Sequence, residues 1–494
     1  MKKFTCIVIA FAAAFAVFAS SCSSKMGGEN YFPDFALEEE GGNYDYDAVL
    51  EQPFTKTAEN PSSYFTLDRN TANYSFVRRQ IMQYGELPAP DSVRAEEIIN
   101  YFDYDYPAPA EGEAISLTPY LFPCPWNENH LLLNLGIRTK EIKTDASAAN
   151  YVFLIDVSGS MAGNDRIGLI KKAISYLVPS LGEKDAISIV TYANGVNTVL
   201  LPTAADEAGK DKILSAVNAL EAGGSTYGSG GIEQAYSLAR ENFQEGGNNR
   251  VILMSDGDFN VGVSDPDRLS SIIREKAAGG IYLTVLGFGM GNTRDSVLET
   301  LARNGNGNYA YIDNENEARK VFEKDIAGML FTVAKDAKAG ITFNADTVAK
   351  YRPIGYDTKL ITEEQFENPD TDAGEIGSNL CVSALYEIEL TEGAEVNSLL
   401  ARAEIRYKDV SAGNADKSVS ADVSNAFQET DDTKFIACAA EFALLLRNSE
   451  YKGNASWENL LSRLSAIEND FSADPVKAEF FGIARTAADL GGET

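Results

Sequence analysis

Residues 151–161, which read YVFLIDVSGSM, restrict the possible folds of this chain more than any other segment. The apolar residues 152–155 are too few for a helix and are rich in the residue types that buried strands use. A strand that is buried on both faces of a parallel sheet shows such a continuous apolar run. Asp156, Ser158 and Ser160 follow at the carboxyl end, where open α/β sheets bind their ligands. The segment therefore predicts a parallel sheet with a ligand site at this strand end.

Two later loops offer oxygen atoms that can complete a metal site. One carboxylate and two hydroxyls do not fill the near-octahedral shell of oxygen atoms that Mg²⁺ prefers. Thr226 lies in the Gly-rich loop AGGST, and Asp256 follows the next apolar, strand-like run. Because the carboxyl ends of parallel strands lie at one edge of a sheet, we expect these loops to meet Asp156, Ser158 and Ser160 there.

These three loops resemble the metal-ion-dependent adhesion site of von Willebrand factor type A domains. The resemblance implies that Ser158, Ser160 and Thr226 coordinate the cation directly, and that Asp156 and Asp256 act largely through water. It also implies one open position for an Asp or Glu carboxylate of a partner protein. Hard oxygen ligands favour Mg²⁺, with Mn²⁺ or Ca²⁺ as competitors. The alternative is a set of ordinary turns, since Asp, Ser, Gly and Thr are common in loops.

The first residues have the composition of a processing signal. Lys2 and Lys3 precede the apolar residues 6–18, and the small residues 19–21 precede Cys22. This order resembles a bacterial lipobox, which implies that Cys22 carries a lipid; ordinary secretion with cleavage near Cys22 is the alternative. No other run approaches the ~20 apolar residues of a membrane helix. We therefore expect a bacterial cell-envelope protein that is anchored to a membrane by its lipid and faces the periplasm or the cell surface.

The hydropathy pattern predicts an α/β fold with a doubly wound, mostly parallel sheet of the von Willebrand A, Rossmann-like type. Strands and helices alternate through this central domain. Helix gives way to strand before it and strand to helix after it, so we expect it to be inserted in a β-sandwich with flanking N- and C-terminal helices. The predicted parts are a signal peptide (1–21), a lipid-anchored tether (22–62), a helical segment with β strands (63–149), the type A domain (150–336), and sandwich strands with a helical tail (337–494).

The insertion predicts particular strand pairings. Strands near 115–121 and 131–137 should share sheets with strands near 339–343 and 382–390, since a lone hairpin is marginal in water. Integrin β chains carry their type A domain in a similar way. By that analogy, movement of a last helix at residues 318–333 would carry a change at the metal site to the sandwich.

Most of the chain beyond the tether resembles one family of bacterial lipoproteins. They carry a type A domain between a short N-terminal segment and a C-terminal domain of unknown function. The motifs are YSFVRR, IINYFDYDYP, DVSGSM, AGGST, SDGDFNVG, DAGEIG, LYEIEL and AAEFALLLRNSEYKG. Leu380 stands after DAGEIG, where members of the family often have a histidine.

Charge and residue types argue against nucleic-acid binding and against catalysis. The net charge of −31 repels nucleic acid. A serine nucleophile needs an adjacent base, and His130 is the single histidine. The chain has no H-E-x-x-H and no phosphate-binding P-loop motif. We expect a non-enzymatic binding protein; a structural scaffold with a purely stabilising metal is the alternative. A phosphatase using Asp156, Asp256 and Asp258 is less favoured.

The three cysteines beyond the N-terminal segment are Cys124, Cys381 and Cys438. Cys124 and Cys381 lie in or beside strand-like runs, so a disulfide between them is one possibility. The favoured interpretation is that all three are small, buried apolar residues.

Overall fold

The computed structural model describes residues 48–67, 69–142, 148–224, 229–257, 266–289, 295–395 and 397–492. The signal peptide, Cys22 and residues 23–47 of the predicted tether lie outside these residues, as do Thr226 and Asp258, whereas residues 48–62 are described and include the strand Thr55–Lys56. Within the described part of the chain, no helix combines the length and the apolar character that crossing a membrane requires.

The N-terminal part begins with two short strands and two helices, which are followed by a hairpin. The elements are β1 (Thr55–Lys56), β2 (Ser62–Thr66), α1 (Ala72–Arg79), α2 (Ala95–Asn100), β3 (Ile115–Pro123) and β4 (His130–Thr139). A π-helical turn, Gln80–Tyr84, continues α1 until Gly85 ends it with φ of +65°. The wider turn alters the 3.6-residue phase. Tyr74, Val77 and Ile81 lie on one buried face of the helix, whereas Tyr84, at the end of the π-helical turn, is exposed.

The central domain is a six-stranded sheet in the order β10-β9-β8-β5-β6-β7, with helices on both faces. Its strands are parallel except for β7, which pairs antiparallel with β6 at the edge. The strands are β5 (Ala149–Asp156), β6 (Ala186–Tyr192), β7 (Val196–Ala204), β8 (Asn248–Ser255), β9 (Ile281–Phe288) and β10 (Tyr309–Ile312). The helices are α3 (Ile167–Leu177), α4 (Glu207–Asn218), α5 (Ser229–Glu241), α6 (Pro266–Ala278), α7 (Asp295–Asn304), α8 (Glu315–Arg319) and α9 (Ile326–Leu330).

Burial on both faces explains the continuous apolar run in β5. Tyr151, Phe153 and Ile155 pack in one core with α3 and α4. Val152 and Leu154 point the other way, into a core with α5, α6 and α7. The predicted doubly wound, mostly parallel sheet is therefore confirmed.

The remaining strands form two five-stranded sheets that pack face to face as a sandwich. One sheet has the order β1-β12-β14-β4-β3; the other has β13-β11-β15-β16, with β2 also paired to β11. The new elements are β11 (Thr332–Phe343), β12 (Val348–Ile354), α10 (Glu363–Glu367), β13 (Gly374–Gly377), β14 (Cys381–Leu390), β15 (Leu399–Asp409) and β16 (Ala415–Ser424). Leu133, Leu135, Ile341 and Phe343 belong to the core between the sheets.

The predicted pairing is correct for one strand and wrong for the other. β3 and β4 share a sheet with β14, but residues 339–343 lie in the facing sheet, as part of β11. Alternating hydrophobic residues identify the buried face of a strand, and the buried faces of β4 and β11 meet across the core instead of side by side.

The two ends of the inserted domain meet at Asn248. Its backbone N–H donates to the Ala148 carbonyl at 3.1 Å, and its side chain donates to the carbonyl of Leu330, the last residue of α9. The helix ends there, before the residue 333 that we expected, because Thr332 already pairs with Gly377 in the sandwich. Closely spaced ends are what an insertion requires.

The helices from both ends of the chain form one layer on the outer face of the β4 sheet. The C-terminal helices are α11 (Asp431–Leu446), α12 (Trp457–Ile467) and α13 (Pro475–Gly491). They share a core with α1 and α2, in which the rings of Tyr74, Phe102, Phe435 and Phe480 contact one another. The flanking helices are therefore confirmed. Within the described residues the cysteines are free thiols, each of them buried.

Candidate metal site

The candidate site lies at the carboxyl end of β5, in the middle of the parallel sheet. β5 pairs with β6 on one side and β8 on the other, so that Asp156 lies beside Tyr192 and Ile155 beside Met254. The chain crosses from one side of β5 to the other between these two neighbours. Such a change of direction opens the crevice in which α/β sheets bind ligands.

Asp156 is a fully buried carboxylate held by neutral groups. Its Oδ1 accepts from the Ser158 backbone N–H at 2.8 Å, and its Oδ2 accepts from the Ser255 hydroxyl at 3.3 Å. Burial raises the pKa of Asp156 to about 6; the charge of Asp256 also raises it, and hydrogen bonds from Ser158 and Tyr192 lower it. A cation beside these two carboxylates would stabilise their ionised forms.

Ser158 and Ser160 present their hydroxyls from a short 3₁₀ turn, Gly159–Met161. The two Oγ atoms lie 3.0 Å apart, with Ser158 buried and Ser160 exposed. Neighbouring ligands of an octahedral Mg²⁺ with bonds of 2.0–2.1 Å are also about 3 Å apart. The serine pair is therefore spaced for two adjacent coordination positions.

The Gly-rich loop is hydrogen-bonded to the serine turn. Gly223 N–H donates to the Val157 carbonyl, and Gly159 N–H donates to the Gly224 carbonyl, both at 2.8 Å. A Cβ atom on Gly159 would lie 3.0 Å from the Gly224 oxygen, so the approach suits a residue without a side chain. Thr226 itself lies outside the described residues, but the segment leading to it is joined to the turn that carries Ser158 and Ser160.

Four of the five predicted ligands, Asp156, Ser158, Ser160 and Asp256, thus lie at the carboxyl ends of the neighbouring strands β5 and β8. The position of Thr226 is not described. Asp256 directly follows β8 and is almost completely buried. The described residues contain no cluster of three or more His, Cys, Asp or Glu side chains that could hold a metal ion. Two carboxylates and two hydroxyls are a different kind of donor set, composed of the hard oxygen atoms that Mg²⁺ accepts.

Three further residues support these side chains and were missed by the sequence analysis. Ser255 and Tyr192 contact Asp156, and the pKa of the Tyr192 hydroxyl is raised by burial and by the Asp156 charge. Arg166 Nη1 donates to the Ser160 carbonyl at 2.6 Å. Ser255 immediately precedes Asp256, so its place in the SDGD motif was a usable signal; the positions of Tyr192 and Arg166 depend on the folded loops.

The single histidine is remote from this site. His130 begins β4, where Nδ1 lies 2.5 Å from Glu387 and Nε2 lies 3.1 Å from Glu389. Arg352 and Trp126 also donate to Glu387. These contacts place His130 in a buried polar network of the sandwich, where it orders two neighbouring strands.

Comparisons with known proteins match all three parts of the chain. The profile of the von Willebrand factor type A domain matches residues 150–324, one described as von Willebrand factor matches 40–134, and one described as the C-terminal part of uncharacterized protein YfbK matches 328–490. Uncharacterized protein YfbK of Escherichia coli K12 is 38% identical over 445 residues, which are 85% of this chain and 77% of that protein. Human inter-alpha-trypsin inhibitor heavy chain H3 is 29% identical over 187 residues, covering 36% of this chain and 20% of that protein.

Solved structures also resemble the chain. A von Willebrand factor type A protein from Catenulispora acidiphila has a TM-score of 0.40 and 15% identity, covering 79% of this chain and 98% of that one. Conserved hypothetical protein BatB from Bacteroides thetaiotaomicron has a TM-score of 0.30 and 23% identity, covering 36% of this chain and 97% of that one.

Proposed function

The chain belongs to the family of the Escherichia coli protein YfbK, with a central von Willebrand factor type A domain, and we propose that it binds a partner protein through a divalent cation held at the end of β5. The proposal rests on one observation: four oxygen-donor residues lie together at the carboxyl ends of β5 and β8. They are Asp156, Ser158, Ser160 and Asp256. Mg²⁺ is the first choice because each donor is a hard oxygen; Mn²⁺ and Ca²⁺ accept the same ligands.

The proposed roles are those that the resemblance to metal-ion-dependent adhesion sites implies. Ser158 and Ser160 coordinate directly, together with Thr226 from the Gly-rich loop. Asp156 and Asp256 act largely through water, and Asp156 also orients the serine turn through the backbone of Ser158. Because neither carboxylate contacts the cation directly in this arrangement, the cation keeps part of its charge, and an Asp or Glu side chain of the partner can neutralise it at the open position. The exposed Ser160 marks the side from which that carboxylate arrives.

Binding is favoured over catalysis because the carboxylate that contacts Ser158, that of Asp156, is assigned to the cation, and because His130 lies in the sandwich. A nucleophilic serine requires a general base within hydrogen-bonding reach. The contacts of Ser158 and Ser160 are with each other, with the Asp156 carboxylate and with the Arg166 guanidinium. Asp156 accepts hydrogen bonds from the backbone N–H and from the side chain of Ser158, which suits a residue that orients the serine turn.

The proposed location is the bacterial cell envelope, with the lipid on Cys22 as the membrane anchor. The motif around Cys22 supports this part of the proposal, and the net charge of −31 fits a soluble domain held away from anionic lipid. Labelling cells with a radioactive lipid precursor tests it. The wild-type chain should be labelled, and a Cys22→Ser chain should not; a labelled, membrane-bound variant would contradict the anchor.

The binding function is tested by capture of envelope proteins on the immobilised mature chain. A specific partner should bind in Mg²⁺, dissociate in EDTA, and fail to bind the Asp156→Ala chain. A partner that is retained in EDTA would contradict cation-mediated recognition. If Mg²⁺ binds and stabilises the chain but no Mg²⁺-dependent partner exists, the metal is a structural component and the scaffold alternative is correct.

A further inference from the structure

Arg166 connects the serine turn to the end of β9. Besides its hydrogen bond to the Ser160 carbonyl, its side chain passes so close to Gly289 that a Cβ atom there would lie 2.5 Å from Arg166 Cγ. Gly289 also has φ of +90°, a backbone conformation that favours glycine. Any side chain at position 289 would therefore collide with Arg166 in the conformation that contacts Ser160.

Tyr311 and Arg79 continue these contacts out of the type A domain. The Tyr311 hydroxyl donates to the Gly289 carbonyl and accepts from Arg79 Nη1. The Arg79 guanidinium carbon lies 4.7 Å from the centroid of the Tyr311 ring, which is a cation–π distance. Both side chains are fully buried. An arginine at the end of α1 thus contacts Tyr311, which binds the carbonyl of Gly289, the residue beside which the Arg166 side chain passes.

The neighbouring Arg78 holds α1 against the type A domain. Its guanidinium forms ion pairs with Asp313 at 2.5 Å, Glu317 at 2.9 Å and Glu479 at 3.2 Å. Asp313 directly follows β10, and Glu317 lies in α8. Breaking buried ion pairs is costly, so the ion pairs of Arg78 fix the position of α1. Because Arg79 is the next residue of this helix, its backbone is fixed as well.

We propose that Arg79 is a positioning residue for the metal site, which acts on Ser160 through the contacts just described. This inference rests on the proposed function, in which Ser160 is a ligand of the cation. Metal ligands must be held within about 0.5 Å of their productive positions, so support for the turn affects the affinity for the ion. Coupling between two sites is reciprocal, and cation binding therefore also stabilises the docking of α1.

The chemistry of Arg79 supports this assignment over simple packing. Desolvating a guanidinium is costly, and an apolar side chain fills a buried space with less penalty. The arginine at this position supplies what an apolar residue lacks, a directed donor to the Tyr311 hydroxyl, which in turn fixes the Gly289 carbonyl. The YSFVRR motif therefore has one arginine for docking α1 and one for supporting the metal loop.

The test uses isothermal titration of Mg²⁺ into the full mature chain and two variants. Tyr311→Phe keeps the ring and removes the hydroxyl, and Arg79→Met removes the donor. Each should weaken Mg²⁺ binding by about fivefold or more, the usual lower limit of coupling between sites. Arg352→Met is the matched control, because Arg352 is equally buried but lies in β12 of the sandwich. It should bind Mg²⁺ like the wild type.

Hydrogen exchange of the wild-type chain gives a second readout that needs no variant. Saturating Mg²⁺ should slow exchange of the α1 amides, and unchanged exchange would overturn the inference. Wild-type affinity in both Tyr311→Phe and Arg79→Met, with binding lost in Asp156→Ala, would overturn it while leaving the metal site intact. A wild-type chain that binds no Mg²⁺ would instead remove the proposed function, and this inference with it.

Discussion

The Arg78 guanidinium and the Asp313 carboxylate form a buried ion pair at 2.5 Å, although 235 residues separate them in sequence. The pair joins α1, the first helix within the described residues, to the residue that follows β10 of the inserted domain. Glu317 and Glu479 contact the same guanidinium, so residues from α1, α8 and α13 meet at one arginine. Buried ion pairs therefore hold the inserted domain against the helical layer. Its two covalent connections join it to the sandwich.

Replacing Arg78 with Met should lower the free energy of unfolding by about 3–5 kcal/mol, because it leaves buried carboxylates without their cation. Urea denaturation measures the loss. Arg402→Met is the control: Arg402 pairs with Asp422 at 3.2 Å on the exposed face of the sandwich. Exposed pairs contribute less than about 1 kcal/mol. Equal effects of the two substitutions would contradict the structural role given to Arg78.

Gly377, the last residue of the DAGEIG motif, lies directly against Gly328 of α9. A Cβ atom on Gly377 would stand 1.5 Å from the Gly328 carbonyl oxygen, so the backbones must separate. Gly377→Ala should therefore reduce the free energy of unfolding by about 1–3 kcal/mol, the usual cost of overpacking. In Gly195→Ala, the added Cβ meets nothing within 4 Å, and stability should be unchanged. A Gly377→Ala chain as stable as the wild type would contradict this close contact.

Glu96 gives a pH dependence of stability with a defined sign. Burial raises its pKa, and its Oε2 has no hydrogen-bond partner among the described residues. Lys359 lowers the pKa, whereas Glu97 and Asp357 raise it. A carboxyl whose pKa is higher in the folded chain favours folding at low pH, and this contribution disappears as the pH rises through the folded-state pKa.

The Glu96→Gln variant should therefore gain stability relative to the wild type as the pH is raised from 4 to 8. Thermal melting of both chains across this range measures the difference. Asp422→Asn is the control, since Asp422 is exposed on β16. A constant difference between wild type and Glu96→Gln over the whole range would show that Glu96 does not titrate differently on folding.

Much of the fold and of the candidate site was predictable because the signals are local. The apolar residues 152–155 and the donors that follow them lie in one short segment, and alternation of strands and helices identified the doubly wound sheet. Sheet membership of β11 was not predictable, because burial patterns do not specify a strand's neighbour. β2 was missed because in this five-residue strand Phe65 alone is buried.

The support behind the site was beyond sequence reasoning for a different reason. Arg79 reaches Tyr311 across 232 residues, and Arg78 reaches Asp313 across 235. Neither partner has a distinctive spacing or composition around it. Contacts of this kind follow from how the helical layer docks on the inserted domain, which hydrophobic periodicity does not describe.

The most direct measurement of the central claim is calorimetric titration of Mg²⁺ into the mature wild-type chain, the Asp156→Ala chain and an Asp185→Asn control. Asp185 is also a buried carboxylate of the type A domain, but it accepts from the Ala149 and Gly182 N–H groups, away from the serine turn. We predict one dominant Mg²⁺ site in the wild type and in the control, and its loss in Asp156→Ala. Binding to Asp156→Ala with wild-type affinity would contradict the account.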